Sequence, residues 1–416
     1  MNKLIADERI IFRTDDSDKT FCYTPSILRY KNRLIVTLDI GGDKGKYYSK
    51  EKYSGKPRQM TGVILISDDN GESFEIKDYF PFYHARVFED NGVIYIIGHN
   101  KDIMIKASLD GGETWSETSM LTNGKWYCMA ATGVLKHNGY VYVPGEEFVR
   151  HEEFKYAWEV AGTAPVLIRA KSGSDLMKPE SWIFSETQSF VDFFGYGTSF
   201  KYFGIPFLDA ARKTSLMING RDMSPIGWLE SNAVKIYDEN HVWYDENSLH
   251  IFMRTHTGGT GYCVVIKMKE YSDGKIKAEF EKAPSGEEMV FLPMPGGQMK
   301  FRVIYDDISK LYWLLSTQAT DSMTDIYKLS EDRYNLPNNE RNRLQLHFSK
   351  NMVDWCFAGM VAIGGGEKQS RHYGDMIIDG DDLLIVSRSG DENASTAHNG
   401  NIITMHRVED FRKLIY

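Results

Sequence analysis

Cysteine is scarce in this sequence, and the cysteines that are present lie far apart. Four occur in 416 residues, at Cys22, Cys128, Cys263 and Cys356, and no two of them form a CxxC pair. This spacing argues against both a zinc-binding site and a disulfide framework. We therefore expect four free, buried thiols, and we predict neither a metal ion nor another cofactor.

Long apolar runs and long runs of like charge are absent as well. No apolar segment reaches the roughly 18 residues that indicate a membrane-spanning helix. The first residues, MNKLIADERIIFRTDD, lack the apolar core and the cleavage site of a secretory signal. The net charge of −9 argues against a broad nucleic-acid-binding face, which requires clustered Lys and Arg. The sequence thus predicts a cytoplasmic protein with no membrane partner and no nucleic-acid partner.

No long amphipathic helix pattern is present, whereas strand patterns are found almost everywhere. Short apolar runs bounded by turns that contain Gly, Asn or Asp are typical of hairpins. Six such runs are RLIVTLD (33–39), VIYIIGH (93–99), YVYVPGE (140–146), SLHIFMR (248–254), LYWLLST (311–317) and LLIVSRS (383–389). Aromatic residues make up 13% of the chain, which suits strands and also suits contact with the apolar faces of sugars. We predict an all-β fold.

The strand-like runs recur as six units, which predicts a six-bladed β-propeller of the sialidase type. The units cover residues 22–79, 82–121, 126–189, 226–285, 294–363 and 370–408. The run RIIFR (9–13) is left over, and we expect it to close the ring by adding a strand to the last unit. Residues 190–225 fit no unit, so seven blades are an alternative. We expect a single domain over residues 1–416, with a polar insertion at 40–59 near the channel mouth.

Two segments share the pattern Ser-x-Asp-x-Gly-x-x-Trp/Phe. They are SDDNGESF (67–74) and SLDGGETW (108–115), and a degenerate third copy is SKNMVDW (349–355). In such a turn the Asp and Ser side chains hydrogen-bond to the backbone, and Gly supplies a positive φ. We therefore expect Asp69 and Asp110 to form turns at the periphery of the blades and to take no part in catalysis.

These segments resemble the Asp-box of the sialidase-like superfamily of glycosidases. The resemblance extends to GWLESNAVKIYDENHVWYDENSLHIFMRTH (227–256) and to SRHYGDMIIDGDDLLIVSR (370–388). In sialidases a Glu at the start of an inner strand polarises a nucleophilic Tyr, and an Arg at the end of the next strand binds the substrate carboxylate. The resemblance implies these roles for Glu230, Tyr373 and Arg254. A Tyr whose ordinary pKa is about 10 needs such a base to attack at neutral pH.

The first blade departs from the sialidase pattern. Sialidases begin it with Arg-Ile-Pro, whereas this chain has Tyr23, Thr24 and Pro25. The first carboxylate-binding Arg is thus missing, which directs the prediction away from sialic acid and toward another acidic sugar, such as a uronate. The acid/base Asp of sialidases follows the second strand of this blade. Asp39 and Asp43 are the candidates for that role here, and we assign it to Asp43.

Period-two spacing brings further polar side chains to the expected channel mouth. Lys300 and Arg302 are expected to share one face of a strand, and so are His84 and Arg86. We predict that Lys300, Arg302 and Arg86 bind substrate together with Arg254. His84 is predicted to act as a general acid or base, a role for which histidine is well tuned. A solvated strand end is the structural alternative for His84.

The sequence predicts a glycoside hydrolase that acts on a small glycan with an acidic sugar. Two alternatives stay open. A polysaccharide lyase that cleaves a uronate-containing glycan by β-elimination uses the same residue types, and a non-catalytic propeller binds glycans without converting them. Glu146 and Glu147 could serve as an acid/base pair or form a solvated turn. The oligomeric state is not predicted.

Overall fold

The structure, a computed structural model, describes residues 6–42, 60–130, 132–196, 213–214, 216–223, 226–257, 259–330, 333 and 336–416. Its main strands form six antiparallel sheets, the blades of a propeller, with the first strand of each sheet innermost. Each blade corresponds to one unit of the sequence, so the predicted six-bladed fold is confirmed. The seven-bladed alternative is wrong, because the described part of residues 190–225 forms one short helix and one hairpin.

The first half of the chain forms β1, which spans Asp7–Arg13, and blades 1 to 3. Blade 1 consists of β2 (Phe21–Tyr30), β3 (Arg33–Gly41), β4 (Met60–Ser67) and β5 (Glu75–Phe80). Blade 2 consists of β6 (Tyr83–Asp90), β7 (Val93–Asn100), β8 (Asp102–Ser108) and β9 (Ser119–Met120). Blade 3 consists of β10 (Tyr127–Cys128), β11 (Leu135–His137), β12 (Tyr140–Glu147), β13 (Ala164–Lys171) and β14 (Trp182–Phe184). Two short helices accompany blade 3, α1 (His151–Phe154) and α2 (Phe190–Phe194).

The second half forms blades 4 to 6, preceded by a hairpin of β15 (Leu216–Ile218) and β16 (Arg221–Met223). Blade 4 consists of β17 (Gly227–Val234), β18 (Ser248–His256), β19 (Tyr262–Glu270) and β20 (Ile276–Glu279). The short strands that follow it are β21 (Glu281–Lys282), β22 (Glu288–Met289) and β23 (Phe291–Pro293). Blade 5 consists of β24 (Arg302–Asp306), β25 (Leu311–Thr317), β26 (Arg343–Ser349) and β27 (Cys356–Ile363). Blade 6 consists of β28 (Arg371–Asp379), β29 (Asp382–Ser389), β30 (Ile402–Val408) and the early strand β1.

The hydrophobic core is divided into six clusters, one between each pair of neighbouring blades. Side chains alternate along a strand, so consecutive residues of one strand serve different clusters. On β3, for example, Ile35 packs toward blade 2 and Val36 packs toward blade 6. Because both faces of each sheet are buried, the second strands read as continuous apolar runs and not as alternating ones.

A closed ring of six polar side chains, here called the channel ring, joins the blades around the channel. Each blade contributes one residue: Ser26, Arg86, Thr132, Asn232, Arg302 and Asp375. Asp375 of blade 6 accepts hydrogen bonds from the Ser26 hydroxyl and from Nε of Arg302, both at 2.8 Å. The Val87 N–H of blade 2 donates in turn to the Ser26 oxygen at 3.4 Å. Blades 5, 6, 1 and 2 are therefore tied in sequence.

The other half of the channel ring ties blades 2, 3, 4 and 5. Arg86 donates from Nη2 to the Thr132 hydroxyl oxygen at 3.1 Å, and the Thr132 hydroxyl donates to the Ser231 carbonyl of blade 4. Asn232 completes the circuit, because its side-chain amide donates to the Phe301 carbonyl of blade 5 at 3.2 Å. Every pair of neighbouring blades is thus joined by at least one hydrogen bond at the channel in addition to its apolar cluster.

The two Ser-x-Asp-x-Gly turns lie between the third and fourth strands of blades 1 and 2. In the first turn the Ser67 hydroxyl donates to Asp69 at 2.8 Å, and the Gly71 N–H donates to the Ser67 oxygen at 2.8 Å. Ser73 donates to the Asp69 carboxylate from its hydroxyl and its backbone N–H. The second turn repeats these bonds around Asp110. Both aspartates act as acceptors within their own turns.

Replacing Asp69 and Asp110 together with alanine is expected to lower the melting temperature and leave kcat and KM unchanged. Hydrogen bonds, first those from Ser73 and Thr114, lower the pKa of both carboxyls. A carboxyl with a lowered pKa stabilises the fold above its unfolded value of about 4 and loses that effect below it. Melting curves should therefore differ at pH 7 and converge as the pH falls below about 4. Glu239→Ala, at an exposed carboxylate, is the control.

The four cysteines are free thiols. Cys22 and Cys263 are buried as expected, whereas Cys128 and Cys356 are partly exposed. In the described part of the chain, no helix has the length and apolar character needed to cross a membrane.

Candidate active site

The innermost strands of several blades carry a bulge at the same end of the channel. In β6, β17 and β28 the pairing with the second strand shifts by one residue at this point. The residue inside each bulge has a positive φ: 51° at His84, 63° at Glu230 and 51° at Tyr373. Bulges redirect side chains, and a positive φ is uncommon for residues other than glycine. The three bulges turn three chemically active side chains toward one mouth of the channel.

Tyr373, Glu230 and Arg254 are in direct contact. The Tyr373 hydroxyl donates a short hydrogen bond to Oε1 of Glu230. Arg254 donates from Nη1 to the Tyr373 oxygen at 2.8 Å, and the same nitrogen lies 3.4 Å from both Glu230 oxygens. All three side chains are buried. The structure therefore brings together the three residues that the resemblance singles out.

Two further arginines surround the same tyrosine. The guanidinium carbons of Arg341 and Arg388 lie 5.6 Å and 5.3 Å from the centroid of the Tyr373 ring. Arg388 also lies 4.4 Å from the ring centroid of Tyr23, the residue that stands where sialidases have the first Arg of Arg-Ile-Pro. Arg388 of blade 6 thus carries a guanidinium to the region left without one by blade 1.

The electrostatics of Tyr373 are balanced between opposing groups. Burial, together with the nearby Glu230, raises the pKa of Tyr373 to about 12, and Arg254 and Arg341 oppose this rise. The phenol therefore carries its proton at neutral pH, and its proton must pass to an acceptor before the oxygen can form a bond. Oε1 of Glu230 already receives the hydrogen bond from this phenol.

A cavity of about 410 Å³ opens above these residues, within the range of small-ligand sites. Its walls combine charged groups with aromatic rings. Among the described residues they include Tyr23, His84, Trp126, Glu146, Phe148, Trp158, Glu230, Tyr373 and Arg388. Trp158 is the most exposed of the rings and lies 5.2 Å from the guanidinium carbon of Arg254. Such a site offers apolar faces and ionic groups side by side.

Glu146 is a buried carboxyl on the wall of this cavity. Its Oε1 accepts hydrogen bonds from the Ser231 N–H at 2.7 Å and from the Ser231 hydroxyl at 2.5 Å. Its Oε2 has no hydrogen-bond partner among the described residues. Burial raises the pKa of Glu146 to about 7, and the like charge of Glu230 acts in the same direction.

His84, His99 and Cys128 form a cluster whose ligand atoms lie within 4.8 Å of one another. Spacing in the sequence does not reveal it, because three strands contribute one residue each. The Met129 N–H donates to Nδ1 of His99 at 3.0 Å, so in neutral His99 the proton is on Nε2. Histidines that bind a metal normally donate from the second nitrogen instead of accepting there. This tautomer does not suit coordination through Nε2 of His99.

Three of the cations predicted to bind substrate occupy other positions. Arg86 and Arg302 belong to the channel ring, and neither is among the described residues that line the cavity. Lys300 donates to the Gly374 carbonyl at 2.8 Å and lies 6.0 Å from the centroid of the Tyr373 ring. Burial lowers the pKa of Lys300 to about 8. Substrate binding by all three therefore stays a prediction, and the contacts described show them joining neighbouring elements of the propeller.

The carboxylates of blade 1 are only partly described. Asp43, predicted as the acid/base, lies outside the described residues. Asp39 is buried, and both of its carboxylate oxygens accept the His84 N–H, at 2.9 and 3.0 Å. Burial raises the pKa of Asp39 to about 8. Asp39 therefore holds the bulge that presents His84 to the cavity.

Arg341 and Arg388 were not predicted from the sequence, although a signal exists for Arg388. In five blades a buried polar residue lies one or two residues before the end of the apolar second strand: Asp39, His99, Glu146, Arg254 and Arg388. Because Arg254 was already singled out at this position, the equivalent residue of blade 6 could have been found by aligning the strand ends. Arg341 precedes the third strand of blade 5, and no comparable pattern marks it.

No protein-family model and no curated protein sequence matches this chain. Solved structures do resemble it. A protein of unknown function from Dyadobacter fermentans matches with a TM-score of 0.53 and 11% identity, over 98% of each chain. The Trypanosoma rangeli sialidase in complex with sialic acid matches with a TM-score of 0.52 and 11% identity, over 99% of this chain and 60% of the sialidase. The Penicillium chrysogenum α-L-arabinanase complexed with arabinobiose matches with a TM-score of 0.51 and 9% identity, over 99% of each chain. At these identities the likeness establishes a shared six-bladed fold.

Proposed function

We propose that this protein is a glycoside hydrolase that cleaves the bond next to an acidic sugar, with Tyr373 as nucleophile and Glu230 as its base. One observation carries the proposal: on the wall of a sugar-sized cavity, a buried tyrosine hydroxyl is bonded to a carboxylate and to a guanidinium. The solved sialidase and arabinanase with the same fold are glycan-acting enzymes by name, which supports the coarser part of the proposal, a hydrolase of glycans.

The reaction follows from the contacts. As the Tyr373 oxygen attacks the anomeric carbon, its proton passes to Glu230, and the bond to the leaving group breaks. Arg254 stabilises the negative charge that develops on the phenol oxygen, which is bonded to it at 2.8 Å. Water then attacks the same carbon, the bond to Tyr373 breaks, and the phenol recovers its proton. A tyrosine nucleophile is one of the known exceptions to catalysis by two carboxylates.

The acidic group of the substrate is assigned to the arginines. Arg254, Arg341 and Arg388 bring three positive charges to one phenol ring, and Glu230 offsets one of them. Guanidinium groups bind carboxylates through paired hydrogen bonds, and such charge-assisted bonds are the strong ones. We therefore place the sugar carboxylate beside Tyr373, where its negative charge balances the positive charge of the arginines.

Replacing Arg388 with glutamine is expected to raise KM for an aryl uronide about 10- to 100-fold, because a hydrogen bond to a charged group is lost. The carboxyl-reduced aryl glycoside of the same sugar should be affected much less. Arg407→Gln serves as the matched control, since Arg407 of blade 6 pairs with Asp382 outside the cavity. Equal losses with the charged and the reduced substrate would argue against a carboxylate at Arg388.

A lyase is the second candidate, and the cluster of guanidinium groups favours it as well. Neutralising a uronate carboxylate acidifies the proton on the adjacent carbon, and Tyr373 could then remove that proton or protonate the leaving group. The products distinguish the two reactions. β-Elimination leaves an unsaturated uronate that absorbs in the ultraviolet, whereas hydrolysis releases two saturated sugars.

A further inference from the structure

We propose that Glu146 is the proton donor to the leaving group in this cavity. The inference deepens the proposed hydrolase function and rests on it. Glu146 reaches the cavity from blade 3, whereas Glu230 comes from blade 4 and Tyr373 from blade 6. The cavity wall therefore carries two carboxyl groups and one phenol that come from three separate blades, and the proposed reaction uses only Glu230 and Tyr373.

The hydrogen bonds of Glu146 leave one oxygen for a substrate. Both bonds that it receives, from the N–H and the hydroxyl of Ser231, end on Oε1. Oε2 is buried and has no partner among the described residues. A proton on Oε1 would have to face two donors, so the proton of the neutral acid belongs on Oε2. That oxygen is the one able to donate to a glycosidic oxygen.

The bulge of β17 positions the carboxyl groups of both Glu230 and Glu146. Glu230 and Ser231 are consecutive residues within it, so Glu230 faces Tyr373 while Ser231 holds Glu146. A single backbone irregularity therefore fixes the base of the nucleophile and orients the candidate acid. This coupling is the geometric argument for a joint role.

The charged groups around Glu146 suit an acid that works near neutral pH. Burial and Glu230 raise its pKa to about 7, while the bonds from Ser231 and the charge of Arg86 oppose the rise. Arg86 directs Nη2 to the Ala130 carbonyl and to Thr132 instead. From β6 and β10, His84 and Cys128 line the same cavity.

Other cavity groups are less suited to donate this proton. Burial, together with nearby arginines, keeps the pKa of His398 well below its ordinary value, so this ring is neutral. Glu159 already contacts Nδ1 of His151 at 2.7 Å. Glu146 alone combines burial, an oxygen without a partner among the described residues, and a position on the wall that it shares with Tyr373.

The proton balance closes over the two steps. When the glycosidic bond breaks, the proton on Oε2 passes to the leaving oxygen, and the resulting carboxylate keeps its two bonds from Ser231. In the second step Glu146 removes a proton from the water that attacks the tyrosyl-bound sugar, which restores the acid.

The test is Glu146→Gln, assayed with a uronosyl fluoride and with the methyl glycoside of the same uronic acid. Fluoride leaves without a proton, whereas an alkoxide needs one. First-turnover rates should fall about 10²- to 10⁴-fold with the methyl glycoside and less than about tenfold with the fluoride. In the wild type, activity on the methyl glycoside should fall as the pH rises through about 7, because the acid form is lost, and the variant should lack this limb.

Ser231→Ala is the matched variant. It removes the hydroxyl bond to Oε1, which favours the charged form of Glu146, so the basic limb of the pH profile should move to higher pH. Glu146→Asp should show part of the basic limb that Glu146→Gln lacks. Melting curves verify that each variant is folded. Equal losses with both substrates, or no loss with the methyl glycoside, would overturn the role of Glu146. Unchanged turnover of the fluoride by Tyr373→Phe would instead overturn the proposed function itself.

Discussion

Replacing Tyr373 with phenylalanine is expected to lower kcat by at least about 10³-fold with every substrate of the wild-type protein, because the attacking oxygen is removed. The ring stays, and with it the contacts to Arg341 and Arg388. KM for the ground-state complex should therefore change little. The loss should be the same for good and for poor leaving groups, which separates this residue from Glu146. Steady-state and single-turnover kinetics provide the measurement.

A covalent adduct gives an independent readout. A 2-fluoro uronosyl fluoride should increase the mass of the wild-type protein by one glycosyl unit, located in a peptide from β28, and it should leave the variant unmodified. Tyr312→Phe is the matched control, because this tyrosine is also buried and its hydroxyl donates to the Lys235 carbonyl at 2.8 Å. That variant should lose stability and keep kcat within about twofold. An adduct on any other residue, or full activity of Tyr373→Phe, would refute the assignment.

Replacing Asp375 with alanine is expected to lower the free energy of unfolding by about 3–5 kcal/mol, because it removes the buried carboxylate that pairs with the partly buried guanidinium of Arg302. Asp375 bonds to Arg302 of blade 5 and to Ser26 of blade 1, and it also accepts the Ile27 N–H at 3.2 Å. The substitution therefore breaks the channel ring in two places, between blades 5 and 6 and between blades 6 and 1. Because Asp375 lies two residues beyond Tyr373 on the same strand, the variant should also lose activity before it unfolds.

Two comparisons isolate the ionic contribution of Asp375. Asp379→Asn lies on the same strand and removes an ion pair with Arg29 at 2.6 Å that is partly exposed, so it should lower the free energy of unfolding by only about 0–1 kcal/mol. The double variant Asp375→Ala with Arg302→Met removes both charges and should recover a large part of the loss. Denaturant unfolding measures all four proteins. A loss for Asp375→Ala no larger than that of Asp379→Asn would show that the channel ring does not stabilise the closed propeller.

The fold could be predicted from the sequence because it depends on interactions between residues that are close together in the chain. Each blade needs apolar strands joined by tight turns, and the second strands are buried on both faces, so they stand out as apolar runs. The segment 190–225 was harder to interpret. It contains α2, whose capping box at Ser189 and Asp192 is a sequence signal that strand patterns do not detect.

The site was only partly accessible, because the bulges break the rule on which the predictions relied. Period-two alternation puts His84 and Arg86 on one face. The bulge in β6 lies between Tyr83 and Arg86, so His84 faces the cavity and Arg86 enters the channel ring. Nothing in the residue types of this segment marks the extra residue. Glu230 and Tyr373 were predicted correctly as neighbours only because the resemblance to sialidases supplied them.

Contacts between blades also cannot be predicted from the periodicity or the spacing of residues in the sequence. Arg341 meets Tyr373 across the boundary of blades 5 and 6, and Glu146 meets Ser231 across that of blades 3 and 4. Such pairs depend on how neighbouring sheets are tilted, which a single sequence does not encode in any short pattern. The buried polar residues near the ends of the second strands are the exception, since in five blades they lie one or two residues before the end of the strand.

The pairing of β1 with β30 constrains when during synthesis the protein can become active. Asp7 lies opposite Arg407, so β1 cannot pair until the third strand of blade 6 has been made. Until then β30 has an open edge, and the early strand has no sheet to join. A growing chain folds from its N-terminal side as the ribosome proceeds. Tyr373 and Arg388 belong to this final blade, so the proposed nucleophile joins Glu146 and Glu230 only after β30 has been made.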